Sequence, residues 1–279
     1  MGKMKGVNVY VISDIHLEFY DGIGGDEVMK KIADQVNQFE CNVVVIAGDL
    51  CPIRWARQVL NKFAEMVPDS DILYVPGNHE FYGENYARIN RDKLNIIVRE
   101  DLNDRVFMLD RSTYSKNDVV FHGITGWIDE SWQRIHFDED MVEYDFYRKR
   151  YSDFSQIKNF QLTLEKGKSD FKWLCNQLNN YKEYNARIQE YNVYQNQIVI
   201  THFMPCKEFV HPRFLKSKIN NCFANDWKEK IKNLGVDYWI YGHTHDKSIK
   251  TENSTKFICN PVGYPHEPTY SLTAYVINL

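Results

Sequence analysis

Five short apolar runs in this chain each stop at a cluster of Asp, His or Asn. "VNVYVI" (7–12) runs into Ser13-Asp14-Ile15-His16, "VVVIA" (43–47) into Gly48-Asp49, and "ILYV" (72–75) into Pro76-Gly77-Asn78-His79-Glu80. Farther on, "IVI" (198–200) meets Thr201-His202, and "YWIY" (238–241) meets Gly242-His243-Thr244-His245. Runs that are continuously apolar and β-branched, rather than alternating, predict strands covered on both faces. Between the first three, "DEVMKKIADQVNQF" (26–39) places Val28, Ile32, Val36 and Phe39 at helical spacing, and "RWARQVLNKFAEMV" (54–67) repeats the pattern. The order strand–helix–strand–helix–strand predicts an α/β fold with right-handed crossovers. Runs at 106–109, 119–124, 257–259 and 270–278 lack long helices between them, so that part of the sheet is expected to be mixed or antiparallel.

Residues 128–196 differ in composition, being crowded with Tyr, Phe, Trp and charges, as in "EYDFYRKRYSDF" (143–154). They read as a mostly helical insertion within one domain spanning 1–279, an amphipathic cover rather than a dedicated binding module. Residues 129–192 hold 12 Asp and Glu against 10 Lys and Arg, so the block is no basic nucleic-acid arm. No internal repeat and no low-complexity tract interrupts the chain.

Bulk composition excludes several classes. With 279 residues, 43% hydrophobic and 26% charged, the chain suits a large α/β domain rather than a disordered or fibrous one. A net charge of −4 and a pI near 6.1 argue against a broad phosphate-backbone surface. They leave room for a small phosphorylated substrate, because a metal can supply positive charge locally. No run approaches the roughly 18 apolar residues of a membrane span. The start, "MGKMKGVNVYVISD", lacks the apolar core of a cleaved signal, and its first strand begins too soon for Met1-Gly2 to read as an acylation site. Six scattered cysteines without a C-x-x-C pair read as reduced thiols in a cytoplasm, several packed as small hydrophobes.

In α/β sheets the carboxyl ends of strands are where loops converge on a ligand. Alone, Asp-x-His is also an N-cap or turn, and Gly-Asp a common turn. Turn chemistry does not account for the His in Gly-Asn-His-Glu, nor for five clusters each behind its own strand. Carboxylates and imidazoles together suit Mn²⁺, Fe or Zn²⁺ better than Mg²⁺ or Ca²⁺. Asp14, His16, Asp49, Asn78, His202, His243 and His245 are too many for one ion, but fit two ions sharing a bridging carboxylate. Glycines before Asp49, Asn78 and His243 allow tight turns and close backbone approach.

Asp14/His16, Gly48/Asp49, Gly77–Glu80, His202 and Gly242–His245 together form the order D-x-H, G-D, G-N-H-[DE], H and G-H-x-H. This set resembles the calcineurin-like metallophosphoesterase superfamily, in particular its small bacterial and phage members, with every motif intact from 14 to 245. The resemblance implies a four-layer α-β-β-α sandwich of two mixed sheets and a binuclear centre. One metal would take Asp14, His16, Asp49 and His245; the other, Asp49, Asn78, His202 and His243, with Asp49 bridging. It implies two divalent ions, Mn²⁺ ahead of Fe²⁺ or Zn²⁺, and a bridging hydroxide that attacks phosphorus. Asp49 and His79 would carry catalysis, with His79 free above the metals to protonate the leaving oxygen. Asn78 and His79 would contact the substrate, while Glu80 would steady the turn or hold His79.

Departures narrow the subfamily. Protein Ser/Thr phosphatases of the superfamily carry G-D-x-x-D-R-G, whereas this chain has "GDLCPIR" (48–54). Purple acid phosphatases place a Tyr three residues after the bridging Asp, where Pro52 stands here. "CNPVGYP" (259–265) resembles the N-P-x-G-Y turn of small members, several of which have a basic residue where this chain has Val262. Arg54 and residues 148–150 are candidate replacements for that phosphate contact. The expected function is cytoplasmic hydrolysis of phosphomonoesters or phosphodiesters in a phosphorylated small molecule or nucleotide.

One rival is a nuclease of the recombination-repair type, to which the aromatics of 143–154 would offer stacking for short single strands. The acidic pI, the lack of a basic groove and the absence of a C-terminal capping domain count against it. A non-catalytic scaffold like the retromer subunit should have lost His79 or a ligand, and this chain keeps them all. His122 is expected to play a hydrogen-bonded structural role; His136, His211 and His266 are expected to be solvated.

Overall fold

The computed structural model describes residues 6–88, 102–135, 142–188 and 195–279. Strands β1 (Asn8–Ile12), β2 (Val43–Ala47), β3 (Asp71–Val75) and β4 (Val106–Met108) run parallel in one sheet. The last strand, β11 (Val276–Asn278), closes its edge antiparallel to β1. A second sheet contains β5 (Ser112–Lys116), β6 (Val119–Gly123), β7 (Asn196–Ile200), β8 (Tyr238–Tyr241), β9 (Ser248–Glu252) and β10 (Thr255–Cys259). Its order is β5-β6-β7-β8-β10-β9, antiparallel only where β5 and β9 form the edges. Both sheets are therefore mixed.

Burial on both faces explains why the strand sequences are apolar throughout. Val9 and Val11 of β1, Val43 and Val45 of β2, and Leu73 and Val75 of β3 point between the sheets, against Phe121, Ile198, Ile200, Ile240 and Ile258. The alternate residues Tyr10, Ile12, Val44, Ile46, Ile72 and Tyr74 face outward. There they pack against α1 (Gly22–Gln38) through Val28, Ile32 and Val36, and against α2 (Ile53–Met66) through Ala56, Leu60 and Phe63. The outer face of the second sheet, with Val199, Trp239, Tyr241 and Phe257, is covered by Phe171, Leu174 and Leu178. The result is four layers, helix–sheet–sheet–helix, as the motif resemblance implies; the apolar patterning by itself points only to strands covered on both faces.

Phe39 departs from the expected apolar stripe: it lies beyond the last turn of α1 and is 46% exposed. Within residues 128–196, which lie between the neighbouring parallel strands β6 and β7, the described residues form a crossover as well as a cover. They contain α3 (Val142–Arg150), α4 (Asp153–Gln156) and the 28-residue α5 (Gln161–Ile188), which supplies the outer layer of the second sheet. Tyr147 and Tyr151 are buried and Phe154 packs beside them, so these aromatics are occupied by the core rather than open to nucleic-acid bases. His136 lies outside the described residues. All six cysteines are free, and five of them are buried. Among the described residues, no helix is long and apolar enough to cross a membrane.

Candidate metal centre

The strand ends of β1, β2, β3, β7 and β8 meet at one edge of the paired sheets. Backbone bonds tie their loops together: Asp14 N donates to Gly48 O (3.0 Å), His16 N to Asp49 O (2.9 Å) and Gly242 N to His202 O (3.0 Å). Asp14, His16, Asp49, His243 and His245 all adopt positive φ, between 48° and 72°. Side chains tolerate this left-handed region poorly, at about 1–2 kcal/mol per residue, and such outliers cluster at functional sites. The glycines make room as well. A Cβ on Gly77 would lie 2.2 Å from Asp49 Oδ1, and one on Gly48, whose φ is +86°, would lie 2.2 Å from His202 Nδ1.

The turns bring all seven expected ligands together. Asp14, His16 and His245 offer donor atoms within 4.8 Å of one another, as do Asp49, His202 and His243. Asp49 stands between the two groups, its Oδ2 3.7 Å from His16 Nε2 and 3.3 Å from His202 Nε2. Asn78 Oδ1 joins the second group, 2.8 Å from His202 Nε2.

The hydrogen bonds around these groups leave an array of facing acceptors. His16 Nδ1 and His245 Nδ1 each face a carboxylate, Glu18 at 3.2 Å and Glu267 at 2.5 Å, and His202 Nδ1 faces the Ala47 carbonyl at 2.9 Å. In the neutral rings each of those nitrogens carries the proton, and each Nε2 is left with a lone pair turned inward. His16 Nε2 and His245 Nε2 face each other at 2.9 Å, so that either a proton or a cation must lie between the two lone pairs. Asn78 Nδ2 donates outward to Asp153 (2.8 Å), leaving its oxygen on the inside. Asp49 Oδ1 accepts the His79 amide, leaving Oδ2 free for the centre. His243 Nε2 is buried and has no hydrogen-bond partner among the described residues. The residues fit a pair of divalent cations. Burial alone would lower the pKa of His202, but Asp49 beside it raises it to about 10, whereas burial and the neighbouring His202 hold that of His243 well below the usual imidazole value.

His79 stands at the mouth of this array. Its ring stacks on Tyr82 at 4.1 Å, Nδ1 lies 2.9 Å from Glu18 Oε1, and Nε2 lies 3.2 Å from the Tyr264 hydroxyl. Burial disfavours its charged form, yet Asp49 and Glu18 raise its pKa to about 9. Glu80 steadies the turns and does not hold His79. Its carboxylate accepts the amides of Asp49 (3.1 Å), Leu50 (2.8 Å) and Gly77 (2.7 Å) and the Tyr74 hydroxyl (2.9 Å). Burial, reinforced by Asp49, pushes its pKa up to about 8.

The centre opens into a cleft of about 380 Å³ lined by Asp49, Asn78, His79, Tyr82, Phe223 and Tyr264, among others. Arg150 and Arg213 also line it, the latter paired with Asp246 at 2.8 Å. Arg54 does not line the cleft; it sits on the exposed face of α2 over Trp55. Val262 is fully buried in the core, so a phosphate contact from that position is absent, but its turn delivers Tyr264 and Glu267 to the site. His122 is buried on β6, bonded to Thr113 (3.1 Å) and set edge-on to Tyr181, while His211 and His266 are exposed. Sequence reasoning missed Glu18, Tyr82, Asp153, Tyr264 and Glu267. Only Glu18, two residues past His16, and Tyr264, in the turn resembling N-P-x-G-Y, carried a local signal.

The sequence model of the calcineurin-like phosphoesterase family matches residues 7–247. An uncharacterized protein of Acanthamoeba polyphaga mimivirus is 27% identical over 268 residues, covering 92% of this chain and 91% of its own. Among solved structures, phosphopantetheinyl hydrolase of Mycobacterium tuberculosis superposes with a TM-score of 0.59 at 15% identity, over 96% of this chain and 99% of that one. A dimetal phosphatase of Danio rerio gives 0.53 at 16% identity, over 98% and 92%. At such identities these two structures speak for the fold.

Proposed function

Because the chain belongs to the calcineurin-like phosphoesterase family, we propose that it hydrolyses phosphomonoester or phosphodiester bonds at a two-metal centre. The observation that carries this reading is the inward-facing array of acceptors, with His79 at its mouth. Asp14, His16 and His245 would hold one ion, and Asn78, His202 and His243 the other, with Asp49 shared between them. The mixed imidazole and carboxylate set suits Mn²⁺, with Fe²⁺ or Zn²⁺ as the alternatives. When bound, the ions supply the Lewis acidity that offsets charge on the phosphoryl oxygens and activates water.

The remaining work falls to the chain itself. Glu18 fixes the proton of His79 on Nδ1 in its neutral form, and Nε2 faces the cleft beside the Tyr264 hydroxyl. There the protonated imidazole donates to the departing oxygen. Asn78 and His79 border the space where the phosphoryl group must sit. A cleft of about 380 Å³ with Arg150 and Arg213 on its walls favours a small phosphorylated molecule or nucleotide over a polymer. The burial of Tyr147 and Tyr151 weighs against single-strand binding as well. Six free thiols suit a reducing compartment such as the cytoplasm.

The test is an assay of metal-free protein supplied with Mn²⁺, Zn²⁺ or Fe²⁺ against p-nitrophenyl phosphate, bis-p-nitrophenyl phosphate and single-stranded DNA. Turnover of either chromogenic ester with at least one metal is expected. No turnover with any metal, together with no bound metal by elemental analysis, would defeat the enzyme reading; turnover of DNA alone would favour a nuclease.

A further inference from the structure

We propose that Asp153, on the crossover between β6 and β7, is the positioning residue that turns the Asn78 amide so that its oxygen faces the second cation. The inference rests on the two-metal reading above. An asparagine side chain has two ends of almost equal size, and only the oxygen can ligate a cation. Something must therefore choose between two rotamers related by a half-turn.

Asp153 makes that choice. It is fully buried and accepts three hydrogen bonds: from Asn78 Nδ2 at 2.8 Å, from the Tyr82 hydroxyl at 2.7 Å and from the Tyr151 hydroxyl at 2.6 Å. A carboxylate can only accept here, so it binds the NH₂ end of Asn78 and rejects the oxygen. With the amide reversed, Asn78 would set oxygen against carboxylate on one side and NH₂ toward the cation on the other. Both ends would be mismatched. Burying a carboxylate is costly unless its partners are well made. The two tyrosine hydroxyls supply those partners and fix the carboxylate in turn. Tyr82 also stacks on His79, so one small network bears on both the ligand and the residue at the cleft mouth. Arg150, Tyr151 and Ser152 line the same cleft, which makes this stretch of the crossover a wall of the site.

Mn²⁺ titrated into metal-free protein, followed by calorimetry and elemental analysis, tests the assignment without relying on turnover. Wild-type protein is expected to take up two Mn²⁺ per chain. Asp153→Ala should keep one and weaken the second by about tenfold or more. Asp153→Asn, which still offers an oxygen to the Asn78 amide, should stay within about threefold of wild type. Two Mn²⁺ bound by a folded Asp153→Ala at wild-type affinity would overturn the proposal. Wild-type protein that binds none of Mn²⁺, Zn²⁺ or Fe²⁺ would instead overturn the two-metal reading itself.

A pair of variants decides the matter even if Asp153→Ala does not fold. Asn78→Asp alone sets two carboxylates face to face and should weaken the second ion. Combining it with Asp153→Asn restores a donor–acceptor pair in the reverse direction and should recover the affinity. An Asn78→Asp protein that binds as well as wild type, or a double variant without recovery, contradicts the assignment.

Discussion

On one side of Asp49, His16 and His245 turn Nδ1 toward carboxylates, Glu18 and Glu267; on the other, His202 turns it toward the Ala47 carbonyl and Asn78 leans on Asp153. Both sides carry aromatic rings: Tyr264 lies 4.5 Å from the His16 and His245 rings on the first, and Phe203 4.3 Å and Phe223 5.1 Å from the His243 ring on the second. A carboxylate behind an imidazole makes it a more basic ligand, and a carbonyl does so less. The difference teaches that the two ions should not be equivalent. The half whose imidazoles are backed by carboxylates would hold its cation more tightly, and the half whose His202 is backed by a carbonyl would exchange its cation more readily.

Removing what the halves share should have the largest effect. Asp49→Asn is expected to bring activity to background and bound metal below two per chain, both read after gel filtration in Mn²⁺. His79→Asn belongs to neither half, so it should retain both ions while the rate falls by about 10²–10⁴-fold. An empty centre in that variant would mean His79 is a ligand. Glu267→Ala strikes one half only. It should weaken the tighter Mn²⁺ by about 10–100-fold and leave the weaker one in place, as followed by calorimetry. Equal weakening of both would erase the distinction between the halves.

A histidine outside the centre gives a contrast. Among the described residues no carboxylate acts on His122, and burial lowers its pKa to about 4. Between about pH 6.5 and pH 4 the unfolded chain binds a proton there that the folded chain refuses, so stability falls as pH drops through that window. The loss amounts to about 3 kcal/mol by pH 4, and His122→Gln should flatten the pH dependence of chemical unfolding by about that much. At the small end, Arg54→Ala should leave KM within about twofold of wild type, while Arg150→Ala raises it several-fold. The reverse ranking would move the anion contact from the cleft wall to α2.

The seven proposed ligands could be picked out in the sequence because each follows one of five strands by two to four residues, and a strand's direction decides which edge its loop reaches. The two-faced burial of β1, β2 and β3 was legible for a similar reason: alternate side chains face different apolar layers. The residues that orient the ligands were not legible. Asp153 meets Asn78 from 75 residues away and Glu267 meets His245 from 22, and in sequence each looks like an ordinary polar residue of a helix start or turn. The edge strands of the second sheet escaped notice too. β5, "STYSK", and β9, "SIKTE", have partly exposed faces and too little apolarity to stand out. Phe39 misled because the helical spacing runs past the point where the chain leaves the helix.

Anomalous diffraction from crystals grown with Mn²⁺ tests the paired centre most directly. Two peaks per chain are expected, both against Asp49, one beside Asp14, His16 and His245 and the other beside Asn78, His202 and His243. A single peak, or a second one away from Asp49, would contradict the account.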